Sequence, residues 1–320
     1  MTRKLKAGVA GAGVFGGYHA RKYQQSEAVE LVGVYDRGTG RALELANQTG
    51  VRGFEAGEWD DFVDQLDVLT VAAPAVAHAS LAVRAIERGV HVYVEKPIAP
   101  SIQEAEAIIA AGAENARVVA CGHQERVIFE AMGLFSAPEV PLRIEAIRQG
   151  PWTGRSTDIS VVLDLMINDL DLALSLGGDQ VTSLTAQGRA LKGSLADQSK
   201  AEITFESGMV AAFEASRAAE GRKRTMRVIY PSGEIEIDFL ERTFRNTTPF
   251  SLDPGFAETP RGADPLGASV SDFLDAVRGI RGRPAVTGEE GARALALALA
   301  IDEVGEPRAP ARKPAAIRAA

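Results

Sequence analysis

Three side chains in this sequence combine types and spacings that suit acid–base chemistry on a hydroxyl group. Lys96 follows the apolar run 90–94, where a parallel strand would end and where open α/β sheets bind ligands. Asp164 and Asn168 stand four residues apart in an apolar stretch, 161–176, which predicts one helix with both side chains on one face. A lysine can polarise a hydroxyl as an ammonium group, or take its proton as a neutral amine where its pKa is lowered, and a carboxylate and an amide can hold the hydroxyl. We therefore take Lys96, Asp164 and Asn168 as candidate catalytic and substrate-binding residues.

The loop at residues 11–16, with the sequence GAGVFG, stands between a predicted strand, Lys6–Ala10, and a predicted helix, Tyr18–Gln25. In that context the glycines permit a tight turn, a close approach of a pyrophosphate to the backbone, and close packing of the helix on the sheet. The free N–H groups at the start of the helix favour phosphates. The loop therefore predicts a dinucleotide site, with contacts from Gly11, Gly13, Val14, Phe15 and Gly16.

Asp36 follows the second predicted strand, Glu30–Tyr35, and comes twenty residues after Gly16. A carboxylate at this point binds the adenosine ribose hydroxyls and repels the 2′-phosphate of NADP, so NAD is favoured over NADP. The neighbouring Arg37 is suited to stack on adenine or to pair with a 2′-phosphate. Both Asp36 and Arg37 are therefore candidate cofactor contacts.

The elements that must position these residues alternate between β-rich runs and helical patterns over residues 6–121. Further strands are predicted at 67–72, 90–94 and 117–121, and further helices at 41–49, 78–88 and 103–114. This alternation predicts a doubly wound parallel sheet. Later, the runs 201–205 with 209–214 and 225–230 with 234–239 flank turn residues, which predicts antiparallel hairpins. The predicted class is α/β, with a nucleotide-binding domain at 1–123, a second α/β domain with an open, mostly antiparallel sheet at 124–305, and a loose tail at 306–320.

Composition restricts the classes of function. With 35 Lys and Arg against 43 Asp and Glu, the formal net charge is −8, and there is no basic stripe, so neither nucleic acid nor a membrane is expected as a partner. The single cysteine, Cys121, excludes an internal disulfide, and the 4 histidines are not spaced as a metal site. The sequence shows no signal peptide and no membrane span, so a cytoplasmic location is expected.

The sequence resembles the glucose–fructose oxidoreductase/inositol dehydrogenase (Gfo/Idh/MocA) family in four segments: GVAGAGVFGGYHA at 8–20, Ala73-Pro74 with His78, Glu95-Lys96-Pro97, and the helix with Asp164 and Asn168. The resemblance implies an N-terminal Rossmann domain and a C-terminal sheet through which a homodimer or homotetramer forms. It also implies hydride transfer between NAD(P) and a carbon of a sugar or polyol. The cofactor contacts that it adds are Ala73, Pro74, His78, Glu95 and Lys96.

A narrower resemblance is to the branch that oxidises the 3-hydroxyl of UDP-N-acetylglucosamine, and the segments 122–126 (GHQER) and 161–171 (VVLDLMINDLD) carry it. This branch implies a UDP-sugar substrate. A loop tryptophan such as Trp152 suits stacking on a base, with plain packing as the alternative. The basic run 222–224 predicts either a solvated hairpin end or a phosphate contact. The expected substrate contacts are Lys96, His123, Arg126, Trp152, Asp164 and Asn168, with an ion pair as the alternative for Arg126.

Members of this family usually carry a histidine where this sequence has Asn168, and an amide cannot act as a general base near neutral pH. Three explanations remain open. Lys96 is the base and Asn168 only positions the substrate; His123 supplies the proton path; or the protein binds its ligand without turnover, as sensor relatives in the family do. The substrate alternatives are another sugar and a free polyol such as an inositol.

Overall fold

The structure is a computed structural model and describes residues 3–38, 40–178 and 180–306. The predicted tail therefore lies outside the described residues, apart from Glu306. The first part of the chain forms a six-stranded parallel sheet in the spatial order β3-β2-β1-β4-β5-β6. Its strands are β1 (Leu5–Ala10), β2 (Val29–Tyr35), β3 (Arg52–Phe54), β4 (Val68–Val71), β5 (His91–Val94) and β6 (Val119–Cys121).

Helices alternate with these strands, which confirms the predicted doubly wound parallel sheet. The predicted helix at 41–49 has the bounds that the sequence indicated. Two short elements, β3 and the five-residue helix after it, were not predicted, because neither is long enough to show a period. The helices are α1 (Val14–Gln25), α2 (Arg41–Thr49), α3 (Trp59–Val63), α4 (His78–Ile86) and α5 (Ile102–Glu114).

The second part forms a seven-stranded sheet in the order β13-β12-β11-β7-β10-β9-β8. Only β7 and β10 run parallel to each other, and the other neighbouring strands are antiparallel, so the predicted mostly antiparallel sheet and both hairpins are confirmed. One face packs into the core, and the other carries half-exposed side chains such as Glu145, Glu214 and Thr225. The strands are β7 (Arg143–Gln149), β8 (Val181–Arg189), β9 (Gln198–Phe205), β10 (Val210–Ser216), β11 (Lys223–Tyr230), β12 (Gly233–Asp238) and β13 (Thr243–Asn246).

Two late helices pack on the parallel sheet, and the second of them also reaches the other sheet. The Ser269 hydroxyl lies 3.0 Å from the Tyr93 hydroxyl on β5, and a backbone bridge joins Thr287 to Ala120 on β6. At its far end the last helix reaches β8, where Gly305 packs against Gly188. The helices of this part are α6 (Glu125–Met132), α7 (Ile167–Gly177), α8 (Pro260–Ala263), α9 (Pro265–Val277) and α10 (Gly288–Gly305). None of the described helices is long and apolar enough to cross a membrane.

The predicted single helix at 161–176 differs from the structure at its start. Residues Val162–Met166 form a π-turn, and α7 continues from Ile167. Apolar spacing over one turn cannot separate a π-turn from an α-turn, so the sequence pattern did not reveal it. π-turns are rare and occur frequently at functional sites. The turn contains Asp164 and ends two residues before Asn168.

Candidate functional site

Two adjoining cavities open at the carboxyl ends of the parallel strands, the edge at which such sheets bind ligands. The cofactor cavity measures about 550 Å³ and follows the ends of β4 and β5. The substrate cavity measures about 360 Å³ and lies between the end of β5, the end of β7 and the π-turn. The residues lining both cavities are Phe15, Glu95, Lys96, Arg155, Ser156 and Asp164.

The glycine loop begins directly after β1 and has the geometry that a pyrophosphate requires. Gly11 has a φ of +106°, which only glycine adopts readily. A Cβ on Gly16 would lie 1.7 Å from the Gly11 carbonyl oxygen, so α1 can pack this closely only with glycine. A Cβ on Gly13 would meet nothing within 4 Å, which leaves open space above that backbone. Val14 and Phe15 are 52% and 43% exposed at the start of α1, where a ligand can cover them.

Asp36 is buried at the end of β2, and backbone N–H groups orient its carboxylate. Oδ2 accepts a bond from Ala12 N at 2.8 Å, and Oδ1 accepts one from Gly38 N at 2.6 Å. Arg41 Nη2 also donates to Oδ1, at 2.8 Å, and Arg41 lines the cofactor cavity. The exposed Arg37 does not line this cavity. Arg41 was missed in the sequence because it begins α2, five positions after Asp36, rather than standing beside the carboxylate.

These residues fit the dinucleotide that the fold implies. The open space above Gly13, at the N-terminus of α1, has room for a pyrophosphate, and the Asp36 carboxylate could accept bonds from ribose hydroxyls. Ala73, Pro74 and His78 line the same cavity. The His78 ring nitrogens contact the carbonyl oxygens of Pro97 at 2.9 Å and Ala73 at 2.8 Å, so one buried imidazole joins both cofactor-facing segments. Burial lowers the pKa of His78.

Replacing Gly13 by alanine is expected to raise the dissociation constant for NAD⁺ by about 10-fold or more, because the new methyl group occupies the pyrophosphate's space. Folding should be unaffected, since the Cβ meets no protein atom. Intrinsic fluorescence titration with NAD⁺ and a thermal melt measure the two effects. Gly17→Ala is the control, because its Cβ meets only the side chains of Arg21 and Leu45, at 3.7 Å. Equal NAD⁺ affinity in Gly13→Ala and wild type would contradict the assignment.

Lys96 lies at the boundary of the two cavities and is held by the π-turn. Its Nζ donates to the Asp164 carbonyl oxygen at 2.6 Å and lies 3.8 Å from Asp164 Oδ1. The side chains of Lys96 and Asp164 keep 18% and 22% of their surface exposed. The Lys96–Pro97 peptide bond is cis. The structure thus brings together the predicted lysine and carboxylate in an open cavity.

Asn168 lines the substrate cavity, one turn beyond Asp164. Its amide Nδ2 donates to the Leu165 carbonyl oxygen at 3.1 Å, and the residue is 7% exposed. The π-turn therefore offers two carbonyl groups to side chains, one to Lys96 and one to Asn168. The amide is anchored through its nitrogen, which leaves its oxygen as the acceptor available to a ligand.

Glu95 is buried beside Lys96 in a polar network that was not predicted. His19 Nε2 contacts Glu95 Oε1 at 2.8 Å, and Gln124 Nε2 donates to the same oxygen at 2.9 Å. His19 also lies 3.4 Å from Thr70 Oγ1 through its Nδ1. A Cβ on Gly122 would lie 2.8 Å from Glu95 Oε2, so the carboxylate packs directly over that glycine. The network orients the segment that carries Lys96.

Two residues predicted to touch the substrate lie outside the substrate cavity. Arg126 is 9% exposed and fully committed to carboxylates, because it makes a bidentate pair with Asp171 at 2.8 Å and donates to Glu290 at 2.7 Å. His123 is 1% exposed, and neither ring nitrogen has a hydrogen-bond partner among the described residues. Burial lowers the pKa of His123. Neither residue lines the cavity, so the structure brings neither of them to Lys96.

The outer wall of the substrate cavity is basic and aromatic. Trp152 lines it, and the Arg217 guanidinium lies 5.6 Å from the Trp152 ring centroid. Arg217 is held by Asp197 at 2.8 Å. Among the described residues, six basic and three acidic side chains line this cavity: Lys96, Arg148, Arg155, Arg217, Arg222 and Arg224 against Glu95, Glu125 and Asp164. The cavity therefore suits an anionic ligand.

Comparisons with known proteins agree with this architecture. The family description "Oxidoreductase family, NAD-binding Rossmann fold" matches residues 5–123, and "GFO/IDH/MocA C-terminal domain" matches residues 129–236. The UDP-N-acetylglucosamine 3-dehydrogenase of Acidithiobacillus ferrooxidans is 34% identical, over 93% of this chain and 96% of that protein. A solved structure of that enzyme gives a TM-score of 0.85 at 33% identity, over 95% of this chain and 98% of the other. The scyllo-inositol 2-dehydrogenase (NAD(+)) of Bacillus subtilis is 27% identical over 75% of each chain. The chain therefore belongs to the GFO/IDH/MocA family of NAD-binding oxidoreductases.

Proposed function

We propose that this dehydrogenase oxidises a hydroxyl group of a nucleotide sugar with NAD⁺, and that its substrate is UDP-N-acetylglucosamine, oxidised at the 3-position. The observation that carries the proposal is the position of Lys96 Nζ, which is held at Asp164 where the two cavities meet. The similarity to UDP-N-acetylglucosamine 3-dehydrogenase over nearly the whole chain supports the choice of substrate. The excess of basic side chains around the substrate cavity also favours a dianionic substrate over a neutral inositol.

NAD⁺, when bound, supplies the nicotinamide that accepts a hydride from the hydroxyl-bearing carbon. Lys96 Nζ, as the neutral amine, accepts the proton of the hydroxyl as the hydride leaves the same carbon, so that a ketone and an ammonium group form. The Asp164 carbonyl oxygen and carboxylate keep Nζ at the boundary of the two cavities, which fixes the direction of this proton transfer. Positioned acid–base groups of this kind contribute about 10²- to 10⁴-fold to rate.

Asn168 positions the substrate in this mechanism. Because Nδ2 is bonded to Leu165, the amide oxygen is the group available to accept a bond from a sugar hydroxyl. An amide cannot take the proton, and the buried His123 does not reach the cavity. These contacts favour Lys96 over His123 as the base. The third explanation, binding without turnover, is distinguished by the assay below.

Asp36 favours NAD over NADP, because its carboxylate is fixed by two backbone N–H groups and would face a 2′-phosphate. The half-exposed face of the second sheet supports assembly into a homodimer or homotetramer. Its central strands present polar side chains such as Glu145, Lys200 and Glu214 along shallow grooves that a second sheet would cover.

The proposal is tested by following NADH formation with purified protein and a panel of UDP-N-acetylglucosamine, N-acetylglucosamine, other UDP-sugars and myo-inositol. The expected result is NADH formation with UDP-N-acetylglucosamine and a product ketone at carbon 3. Turnover of an inositol alone would move the substrate to the polyol class. Tight binding of NAD⁺ without NADH formation from any sugar would identify a sensor instead, so both outcomes would overturn the proposal.

A further inference from the structure

We propose that Arg222 and Arg224 form the subsite for the substrate's diphosphate and thereby select nucleotide-linked sugars over free ones. The inference rests on the proposed function, because it assigns the part of the substrate that the chemistry at Lys96 does not touch. Both arginines line the substrate cavity, at the end away from the cofactor cavity. Their position, charge and surroundings each support this assignment.

Strand alternation aims these two side chains into the cavity. Arg222 directly precedes β11 and Arg224 is its second residue, so both project to the same side of the sheet. Lys223 lies between them and projects to the opposite side, where it lines a groove on the half-exposed face together with Thr225 and Arg227. The basic run that the sequence shows as one cluster is therefore divided, and two of its three cations face the substrate cavity.

Nearby carboxylates do not neutralise these arginines. Arg224 pairs across the sheet with Arg148, and Arg148 takes both local carboxylates. It binds Asp169 at 2.8 and 3.0 Å and Glu125 at 2.9 Å. In the described part of the chain, neither Arg222 nor Arg224 forms an ion pair. Partial burial and the facing Arg148 lower the pKa of Arg224, as expected of a cation held beside like charge.

The surroundings of the pair match a diphosphate that is joined to a base. The Arg222 side chain passes close to Gly150, where a Cβ would lie 3.7 Å from Arg222 Cγ. Gly150 begins the loop that carries Trp152, whose ring faces the Arg217 guanidinium. A ligand that spans from Lys96 to this wall would place its sugar at Asn168, its anionic linker at the arginine pair and its base near Trp152. An arginine fork matches phosphate oxygens in geometry as well as charge.

The pair is separate from the cofactor's own phosphates. Neither arginine lines the cofactor cavity. Arg155 lines both cavities and could meet the phosphates of either ligand, so it is not part of the proposed diphosphate subsite. The open space above the Gly13 backbone is the site assigned to the cofactor's pyrophosphate, and Gly13 does not line the substrate cavity. Binding of UDP and binding of NAD⁺ should therefore respond independently to changes at the pair.

Isothermal titration of the full-length protein with UDP, with NAD⁺ and with N-acetylglucosamine 1-phosphate tests the inference. The double variant Arg222→Gln/Arg224→Gln is expected to bind UDP about 10-fold more weakly or worse, the loss of at least one charge-assisted bond. NAD⁺ affinity should change less than about 3-fold, since the cofactor cavity is untouched. Lys223→Gln is the control, because it removes a positive charge from between the two arginines but on the opposite face of the sheet.

Several results would overturn the subsite. They are failure of the wild type to bind UDP, equal weakening in Lys223→Gln, loss of NAD⁺ affinity in place of UDP affinity, and equal binding of N-acetylglucosamine 1-phosphate and UDP. Turnover separates this inference from the proposed function. If the double variant oxidises UDP-N-acetylglucosamine with an unchanged KM, the subsite assignment is wrong and the proposed function stands. If the double variant binds UDP more weakly but the wild type shows no turnover, the proposed function is wrong and the subsite assignment stands.

Discussion

Replacing Lys96 by methionine is expected to lower kcat by about 10²- to 10⁴-fold, the contribution of a positioned proton acceptor. Methionine keeps most of the length of the side chain but has neither the charge nor the proton-accepting nitrogen. The dissociation constant for NAD⁺ should change less than about 3-fold, because the glycine loop and Asp36 hold the adenosine half of the cofactor. Steady-state NADH formation and a separate NAD⁺ titration measure the two effects.

The control for this prediction is Asn168→His, which adds an imidazole at the position where the family usually has one. If Lys96 is the base, the added imidazole raises kcat by less than about 10-fold in the wild-type background. Unchanged turnover in Lys96→Met would contradict the assignment of Lys96. If Asn168→His restores most of the lost rate in the Lys96→Met background, an imidazole at position 168 can accept the proton in place of Lys96.

Replacing Arg126 by leucine is expected to lower the free energy of unfolding by about 3–5 kcal/mol, because it leaves the buried Asp171 carboxylate without a cation, whereas Glu290 keeps its pair with Arg283. Arg126 joins Asp171 on α7 and Glu290 on α10 to α6, and these pairs raise the pKa of its guanidinium. Urea denaturation followed by circular dichroism measures the loss. Much of the effect should disappear when Asp171→Leu is added, since the double change removes the carboxylate that has lost its cation.

The matched control is Arg88→Leu. Arg88 also bridges two carboxylates, Asp60 and Asp64, but its side chain is 42% exposed. Exposed pairs contribute about 0–1 kcal/mol, so this variant should unfold close to the wild type. A loss in Arg126→Leu no larger than the loss in Arg88→Leu would show that water reaches the buried pairs.

The positions of the chemistry-bearing loops could be predicted because each depends on local sequence. The glycine loop, Asp36 and Lys96 all follow strands whose apolar runs are visible along the chain. In a parallel sheet the carboxyl ends of all strands lie at one edge, so strand order alone brings these residues together. The hairpins of the second sheet were predicted for the same reason, since turn residues and alternation are local signals.

The ion-pair and hydrogen-bond partners of the charged residues could not be predicted, because these partners lie far away along the chain. Arg126 has the same local context whether it meets a phosphate or Asp171 and Glu290, which lie 45 and 164 positions away. The same holds for Arg148 with Asp169, and for His19 with Glu95. In a strand, alternation places Lys223 on one face and Arg222 and Arg224 on the other. This pattern is visible in the sequence, but the sequence does not show which of the two faces meets the substrate cavity.

The last helix has a mechanical consequence for the cleft. Helix α10 has 18 residues, which gives a rod about 27 Å long. Its start is joined to β6 of the parallel sheet and its end packs on β8 of the second sheet. A hinge motion that widened the gap between Lys96 and the arginine pair would have to break that bridge or bend the rod. The fold therefore fixes the distance between the two ends of the substrate cavity. A ligand has to match that distance, and little conformational entropy is lost on binding because the cavity is already formed.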